Sequence, residues 1–187
     1  MSKVKILMVG PTKCGKTVLC NFLAEATEVS GGEYRPTQGV RILEFEAAGL
    51  NLRGRSSVDV ELWDCSGDKK FEACWPAIAR DAMGVIFVYN PDQHNHDDDL
   101  DAWYRFLVEQ QNIKVQNCMV MAHHRPQANN AVNSDLSANF SKMQTTISNI
   151  EEDPDAVRST FNTFLEHIVI AMSNSREQEE LNIMNSR

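Results

Sequence analysis

A short loop near the start of the chain lies between an apolar run and a segment of helical periodicity. Residues 10–17 read Gly-Pro-Thr-Lys-Cys-Gly-Lys-Thr and match the phosphate-binding pattern G-x-x-x-x-G-K-[ST]. The run before them, residues 4–9, predicts a buried strand, and apolar side chains recur at helical spacing over residues 16–26. This succession of strand, loop and helix is the context that the motif requires, and it predicts an α/β nucleotide-binding fold.

The chemistry of the loop follows from its residue types. Glycines let consecutive backbone N–H groups point at one anion, and the helix N-terminus adds its positive dipole end. The lysine can reach the outer phosphates, and the threonine hydroxyl can bind Mg²⁺. The alternative is a glycine-rich turn with an accidental lysine. The predicted phosphate-binding residues are Gly10, Pro11, Thr12, Lys13, Cys14, Gly15, Lys16 and Thr17.

Apolar runs farther along the chain are separated by the distances expected for strand–helix crossovers. Two of them, with turn residues between, suit an antiparallel hairpin. The predicted strands are 4–9, 40–45, 58–63, 84–89 and 117–122, and the predicted helices are 16–26, 71–80, 99–109 and 155–172.

Composition excludes several classes of function. The chain has 187 residues, which is enough for one domain with a full core. A formal net charge of −8 argues against nucleic acid or an anionic lipid surface as a partner. The five cysteines form no C-x-x-C pair, so we expect reduced thiols in the cytosol rather than a zinc site. We expect neither a signal peptide nor a membrane-spanning segment.

Two segments after the loop resemble the switches of Ras-superfamily GTPases. Residues 35–40, Arg-Pro-Thr-Gln-Gly-Val, are similar to the first switch, and residues 63–68, Trp-Asp-Cys-Ser-Gly-Asp, are similar to the start of the second. The resemblance implies that the Thr37 hydroxyl binds Mg²⁺ and that Asp64 holds the ion through water. It also implies that the backbone N–H of Gly67 meets the γ-phosphate.

The details resemble most closely the Rab-like small GTPases of the intraflagellar transport B complex. They are residues 63–68, Cys-Trp-Pro-Ala at 74–77 and Ala-His-His-Arg-Pro at 122–126. The resemblance implies a six-stranded, mostly parallel sheet with one antiparallel edge hairpin and helices on both faces. It assigns residues 1–173 to the GTPase domain and leaves 174–187 as a polar tail or helix extension.

The same resemblance implies GTP or GDP and Mg²⁺ as cofactors. It implies docking onto the coiled-coil core proteins of the intraflagellar transport B complex, in the cytoplasm, the cilium and the ciliary base. No cysteine follows Cys118, so we expect no prenyl anchor. The predicted docking face includes Phe71, Trp75 and Pro76, although packing of Trp75 onto the sheet is an equal alternative.

Position 68 departs from the family pattern, which has a glutamine that orients the attacking water. Asp68 is shorter, cannot donate a hydrogen bond when ionised and adds negative charge near an anionic transition state. It is the only catalytic candidate, and we expect slow or absent hydrolysis. A solvated loop residue without a catalytic role is the alternative.

The base-binding loop is the second departure. The family reads guanine with N-K-x-D, whereas this chain has His123, His124, Arg125 and Pro126. His123 can hydrogen-bond the base and His124 can stack on it, but Pro126 provides no side-chain acceptor. A pair of surface histidines without base contact is the alternative.

A third segment of the family, S-A-K, supports the base before the last helix. Here Ser-Ala-Asn at 137–139 spells it best, whereas Ser-Asn at 148–149 lies at the better distance, and the sequence leaves both open. Two other functions also stay open. One is a pseudo-GTPase that has lost nucleotide specificity, and the other is a P-loop kinase or ATPase, which would need an arginine-bearing lid.

Overall fold

A computed structural model of the protein describes residues 3–26, 35–93, 96–124 and 136–185. Its fold is built around a fully buried central strand. Strand β1 (Val4–Val9) pairs in parallel with β3 (Arg55–Cys65) on one side and with β4 (Gly84–Tyr89) on the other. All six of its residues are buried, so both faces of the sheet need an apolar cover.

Three more strands complete the sheet: β2 (Val40–Leu52), β5 (Cys118–His123) and β6 (Gln144–Ser148). The order is β2-β3-β1-β4-β5-β6, and only the β2–β3 pair is antiparallel. The predicted six-stranded, mostly parallel sheet is therefore confirmed. The apolar pattern did not locate β6, because this edge strand is mostly polar and exposed.

The edge hairpin is longer than predicted. β2 continues beyond the predicted end at residue 45 to Leu52, and β3 begins at Arg55, before the predicted start at residue 58. The turn lies at Arg53 and Gly54, so residues 47–51 are strand and not a connection. The extension packs on the last helix, where the Asn51 N–H donates to the Glu166 carboxylate at 2.6 Å. This long-range contact stabilises a segment whose local sequence predicts a turn.

Within the described residues, three α-helices lie between strands, namely α1 (Lys16–Leu23), α2 (Trp75–Ala79) and α3 (Asp97–Tyr104), and a fourth, α4 (Pro154–Asn185), follows β6. Their bounds correct the sequence predictions. The helix predicted at 16–26 ends early, and Glu25 beyond it has a φ of 51°. The one predicted at 71–80 is wrong in its first half, because Lys69–Cys74 forms a tighter 3₁₀ helix.

The other two predicted helices also differ. The segment predicted at 99–109 is α-helical only to Tyr104 and then widens into a π-helix over Arg105–Gln110. The last helix continues past residue 172 to Asn185 without a break. Within the described residues, no helix has both the length and the apolar character to cross a bilayer.

Alternate residues of β1 supply two apolar layers. Ile6 and Met8 join a cluster with α1 and α4, whereas Leu7 and Val9 join a cluster with α2 and α3. This alternation is the period-two geometry of a strand covered on both faces. The predicted helices on both faces of the sheet are therefore present.

Trp75 belongs to the second layer and not to the surface. Its ring stacks on Trp103 with 3.7 Å between centroids, and the residue is only 6% exposed. The expected exposure of Trp75 to a partner is corrected: α2 turns this side chain towards α3, where its large apolar surface is removed from water.

We predict that Trp75→Ala lowers the free energy of unfolding by about 3–5 kcal/mol, the usual cost of truncating a buried aromatic side chain. Urea unfolding followed by circular dichroism measures it. Ile42→Ala, at a side chain that is 45% exposed, is the matched control and should change stability by less than about 1 kcal/mol. Equal losses for the two variants would contradict the buried position of Trp75.

Candidate nucleotide-binding site

The carboxyl ends of the parallel strands meet at one edge of the sheet, where ligands of such folds bind. A cavity of about 650 Å³ lies there. Its walls come from residues 12–18, the segment around Thr37, the turn at Gly67, the end of β5 and residues 149–151. The cavity is therefore lined by residues from the phosphate loop, from both switch segments, from the start of the predicted base loop and from the segment that begins at Asn149.

The loop over residues 10–15 is held closely against the neighbouring strand β4. A side chain at Gly10, where φ is 145°, would put its Cβ atom 2.0 Å from the Val88 carbonyl oxygen. The Cys14 thiol donates to the same oxygen at 3.2 Å. Gly67 is packed against the loop in turn, because a Cβ there would lie 2.5 Å from the Gly10 carbonyl oxygen.

Lys16 places its ammonium group inside the curve of the loop. Its Nζ atom donates to the carbonyl oxygen of Gly10 at 2.9 Å and to that of Pro11. The residue is only 6% exposed, so the position of its ammonium group is set by these two carbonyl groups and not by water. Thr12 and Lys13, at the outer side of the loop, are exposed.

Three oxygen-bearing side chains converge beside the loop. The hydroxyls of Thr17 and Thr37 lie 3.0 Å apart, and they donate to Oδ2 of Asp64 at 2.8 Å and 3.2 Å. Asp64 is fully buried, and its other oxygen, Oδ1, has no hydrogen-bond partner among the described residues. Burial raises the pKa of Asp64, while the Thr17 hydrogen bond and the nearby Arg41 charge oppose the rise.

The cluster of Thr17, Thr37 and Asp64 could hold Mg²⁺. Hydroxyl and carboxylate oxygens are the ligands this ion prefers, and Mg²⁺ usually takes one or two carboxylates together with phosphates and water. The described part of the chain contains no group of three or more His, Cys, Asp or Glu side chains placed to hold a metal. A site that draws further ligands from a phosphate and water fits the donors present.

Asp68 is turned towards Lys70 instead of the cavity. Its Oδ1 atom accepts the backbone N–H of Lys70 at 3.0 Å, and Oδ2 pairs with the Lys70 ammonium at 2.9 Å. The hydrogen bond from Lys70 lowers the pKa of Asp68, so the ionised form is favoured. Asp68 caps the 3₁₀ helix, and it is absent from the residues that line the cavity.

His123 is wedged between the phosphate loop and strand β6. A Cβ at Gly15, where φ is 96°, would lie 2.3 Å from the Cδ2 atom of the His123 ring. The ring's Nδ1 is 3.1 Å from the Ser148 hydroxyl. The histidine thus joins three separate segments, a role that the sequence pattern did not reveal.

His124 lines the cavity and is 1% exposed. Neither of its ring nitrogens has a hydrogen-bond partner among the described residues, and Nδ1 lies 3.7 Å from the Asp92 carboxylate. Arg125 and Pro126 fall outside the described residues. His124 is therefore the last member of the predicted base loop whose position the structure describes.

The choice between the two candidate base-supporting segments is decided by tertiary contacts. Ser137 and Asn139 both donate to the Asp101 carboxylate on α3, at 2.6 Å and 3.0 Å. Ser148 instead contacts His123, and Asn149 lines the cavity. The segment at 148–149 is the one in place at the site.

The side chain of Asn149 uses its oxygen in backbone contacts and leaves its amide nitrogen without a partner among the described residues. Its Oδ1 atom accepts the backbone N–H groups of Glu151 at 3.2 Å and Glu152 at 3.3 Å, which turns the chain towards α4. Its amide nitrogen is buried without a hydrogen-bond partner among the described residues. Because the residue lines the cavity, a polar ligand edge that reached this nitrogen would supply its missing partner.

The phosphate loop, the two threonines and Asp64, assembled at the end of a Ras-like sheet, define a nucleotide-binding domain of the GTPase class. Residues 5–125 match the family model described as "Ras of Complex, Roc, domain of DAPkinase". This match covers more than half of the chain, so the chain belongs to the Ras-like GTPase domains.

Individual relatives identify the branch of the Ras-like GTPases to which the chain belongs. The chain is 46% identical over 186 residues to "Intraflagellar transport protein 22 homolog" of Danio rerio and 45% identical over 186 residues to that of Homo sapiens. In both cases 98% of this chain and 100% of the relative are covered. The chain belongs to the intraflagellar transport protein 22 family, and the resemblance stated from its sequence is confirmed.

Two solved structures are similar to this chain. The "T. brucei IFT22/74/81 GTP-bound crystal structure" is similar with a TM-score of 0.70 and 29% identity over 94% of this chain and 99% of that chain. The "T. brucei IFT22 GDP-bound crystal structure" has a TM-score of 0.70 over 92% of this chain and 99% of that chain. At 24% identity, the second shows the fold alone.

We predict that Lys16→Ala weakens nucleotide binding by about 10- to 100-fold, because one charge-assisted contact to phosphate is worth about 1.5–3 kcal/mol. Titration with a fluorescent GTP analogue measures the dissociation constant. Lys114→Ala is the control, since this exposed lysine precedes β5 at the opposite edge of the sheet. Equal affinities for Lys16→Ala and wild type would disprove the proposed phosphate site.

Proposed function

We propose that this protein is a GTP-binding adaptor subunit of the intraflagellar transport machinery, acting with slow or absent hydrolysis. The meeting of Lys16, Thr17, Thr37 and Asp64 beside one cavity supports it, because these residues come from three segments distant in sequence. The family of the chain supports the transport role. Extraction and identification of the nucleotide from purified protein is the direct test, and recovery of none would favour the pseudo-GTPase.

The phosphate loop would bind the phosphates through its backbone N–H groups and the Lys16 ammonium. Mg²⁺, when bound, would neutralise phosphate charge, with Thr17 and Thr37 as ligands and Asp64 behind water. Thr37 and Gly67 belong to different switch segments, and both line the cavity. A third phosphate would thus be read by both segments at once, as in order–disorder switching by a γ-phosphate.

The base would lie beside His123, His124 and Asn149. His123 is held between Gly15 and Ser148, so its role is to join the phosphate loop to the base wall, and Nδ1 is engaged with Ser148. His124 offers a ring face for stacking, and the Asn149 amide offers a donor towards a carbonyl oxygen of the base. No aspartate stands at position 126 to accept from the guanine edge.

We predict that discrimination for guanine over adenine is weaker than the roughly 10⁴-fold that a site built to hydrogen-bond one base edge can give. Competition of ATP and GTP against a fluorescent guanine nucleotide measures the ratio of affinities. Asn149→Ala should lower the ratio further, whereas Asn139→Ala, on the segment tied to α3, should leave it unchanged. A wild-type ratio above 10⁴ would show that another group supplies the missing acceptor.

The position of Asp68 supports the proposal of slow hydrolysis. Its carboxylate is engaged with Lys70 and the start of the 3₁₀ helix. A water molecule at the γ-phosphate would therefore lack the side-chain donor that orients it in typical GTPases.

We predict that Asp68→Gln raises the single-turnover rate of phosphate release about tenfold, the effect of one added hydrogen bond in the transition state. Lys70→Ala is the control, because it removes the ammonium partner of Asp68 Oδ2 without supplying a donor. A faster rate in Lys70→Ala would instead identify Asp68 as a base. A wild-type rate equal to that of typical GTPases would refute the proposal.

The two switch segments share a surface that a partner protein could recognise. The Phe71 ring lies 3.8 Å from the position of a Cβ at Gly39, and Ile42, farther along β2, is 45% exposed. We propose that this face docks the coiled-coil core proteins of the transport B complex. The same docking would bring the protein from the cytoplasm to the cilium and the ciliary base.

We predict that Phe71→Ala and Thr17→Asn each lower recovery of the transport complex in pull-down by more than about fivefold, the first through lost contact and the second through lost nucleotide binding. Ile170→Ala is the matched control, because this side chain is 50% exposed on α4. Trp75→Ala is unsuitable, since that residue is buried. Wild-type recovery by both test variants would eliminate the switch face.

A further inference from the structure

Arg41 brings a positive charge directly to the buried carboxylate of the proposed Mg²⁺ site. It faces Asp64 across the antiparallel pair of β2 and β3, so the two side chains lie on the same face of the sheet. Its Nη2 atom is 3.6 Å from Asp64 Oδ2, the oxygen that accepts from both Thr17 and Thr37.

The same nitrogen also joins two segments of the chain. Nη2 of Arg41 donates to Oδ1 of Asn21 on α1 at 2.5 Å. Asn21 lies one helical turn after Thr17, and Arg41 lies four residues after Thr37. The Arg41–Asn21 contact therefore ties the first switch segment to α1 next to the two threonine hydroxyls.

In sites of this kind a divalent cation draws the first switch segment, the first helix and the acidic residue together. The Arg41 guanidinium contributes to the same effect, because it contacts the buried amide oxygen of Asn21 and lies beside the buried carboxylate of Asp64. Its positive charge is permanent. Its charge also opposes a second cation near the fully buried Asp64, because like charges repel. The Arg41 side chain is 41% exposed, so water weakens this repulsion without removing it.

We propose that Arg41 is a permanent cation supplied by the chain itself, which keeps the first switch segment, α1 and Asp64 together and so makes nucleotide retention depend only weakly on Mg²⁺. The inference rests on the proposed nucleotide binding and assigns a positioning role to a residue outside the cavity wall. Two effects follow from it. Without Arg41, Mg²⁺ binds more tightly to the nucleotide complex, and removal of Mg²⁺ releases the nucleotide faster.

The test compares release of a fluorescent GDP analogue in excess Mg²⁺ and in excess EDTA. Arg41→Gln should raise the release rate in EDTA, divided by the release rate in Mg²⁺, about tenfold over the wild-type ratio. It should also lower the Mg²⁺ concentration for half-maximal nucleotide retention about tenfold. Both effects are the size expected for one lost contact to a charged group. Arg53→Gln, an exposed arginine at the turn of the same hairpin, is the matched control and should match wild type in both measurements.

Arg41→Lys separates the two parts of the proposal. It keeps the charge, so the Mg²⁺ midpoint should stay near that of wild type, but an ammonium group cannot reproduce the fork of the guanidinium. The ratio of rates should therefore rise. If Arg41→Gln does not fold by circular dichroism, Arg41→Lys alone decides, and a wild-type ratio overturns the proposal.

The outcomes also separate this inference from the proposed function. Failure of wild type to bind the fluorescent GDP analogue contradicts the proposed function itself. Normal binding, with the same ratio of rates and the same Mg²⁺ midpoint in Arg41→Gln as in wild type, overturns the role of Arg41 and leaves the proposed function standing.

Discussion

The carbonyl oxygen of Val88, at the end of β4, is the contact on which the site depends. It accepts the Cys14 thiol at 3.2 Å and leaves no room for a side chain at Gly10. The loop that curls against this oxygen packs closely on two further neighbours, Gly67 from the second switch segment and His123 from β5. Neither contact leaves room for a Cβ atom, at Gly67 in the first case and at Gly15 in the second. Nucleotide-binding groups from distant parts of the chain are thereby held in one frame.

Burial of Asp64 sets the second constraint. A fully buried carboxylate is costly unless its oxygens are hydrogen-bonded or paired. Two hydroxyl donors and the Arg41 guanidinium surround one of its oxygens. These contacts draw α1, the segment before β2 and the end of β3 together. The end of the phosphate loop and the first switch segment are thus joined through one charged group.

The surface around the second switch divides into groups with different tasks. Trp75 faces inward onto Trp103 and stabilises the domain. Asp68 is engaged as a helix cap with Lys70. Phe71 is half-buried and lies beside Gly39. A second switch whose Trp75 is packed inside the domain and whose residue 68 caps a helix is consistent with the proposed adaptor role.

The sequence by itself determined the phosphate loop, the two switch motifs and the central strands, because each depends on local pattern: glycine positions, a lysine and a threonine at fixed spacing, and continuous apolar runs. Only the tertiary structure decided the rest. Edge strand β6 has a mostly polar surface and thus no apolar signal, and the hairpin extends because it packs on α4. The choice of Ser148 over Ser137, the inward turn of Trp75 and the pairing of Arg41 with Asp64 each depend on a partner distant in sequence, which no local pattern encodes.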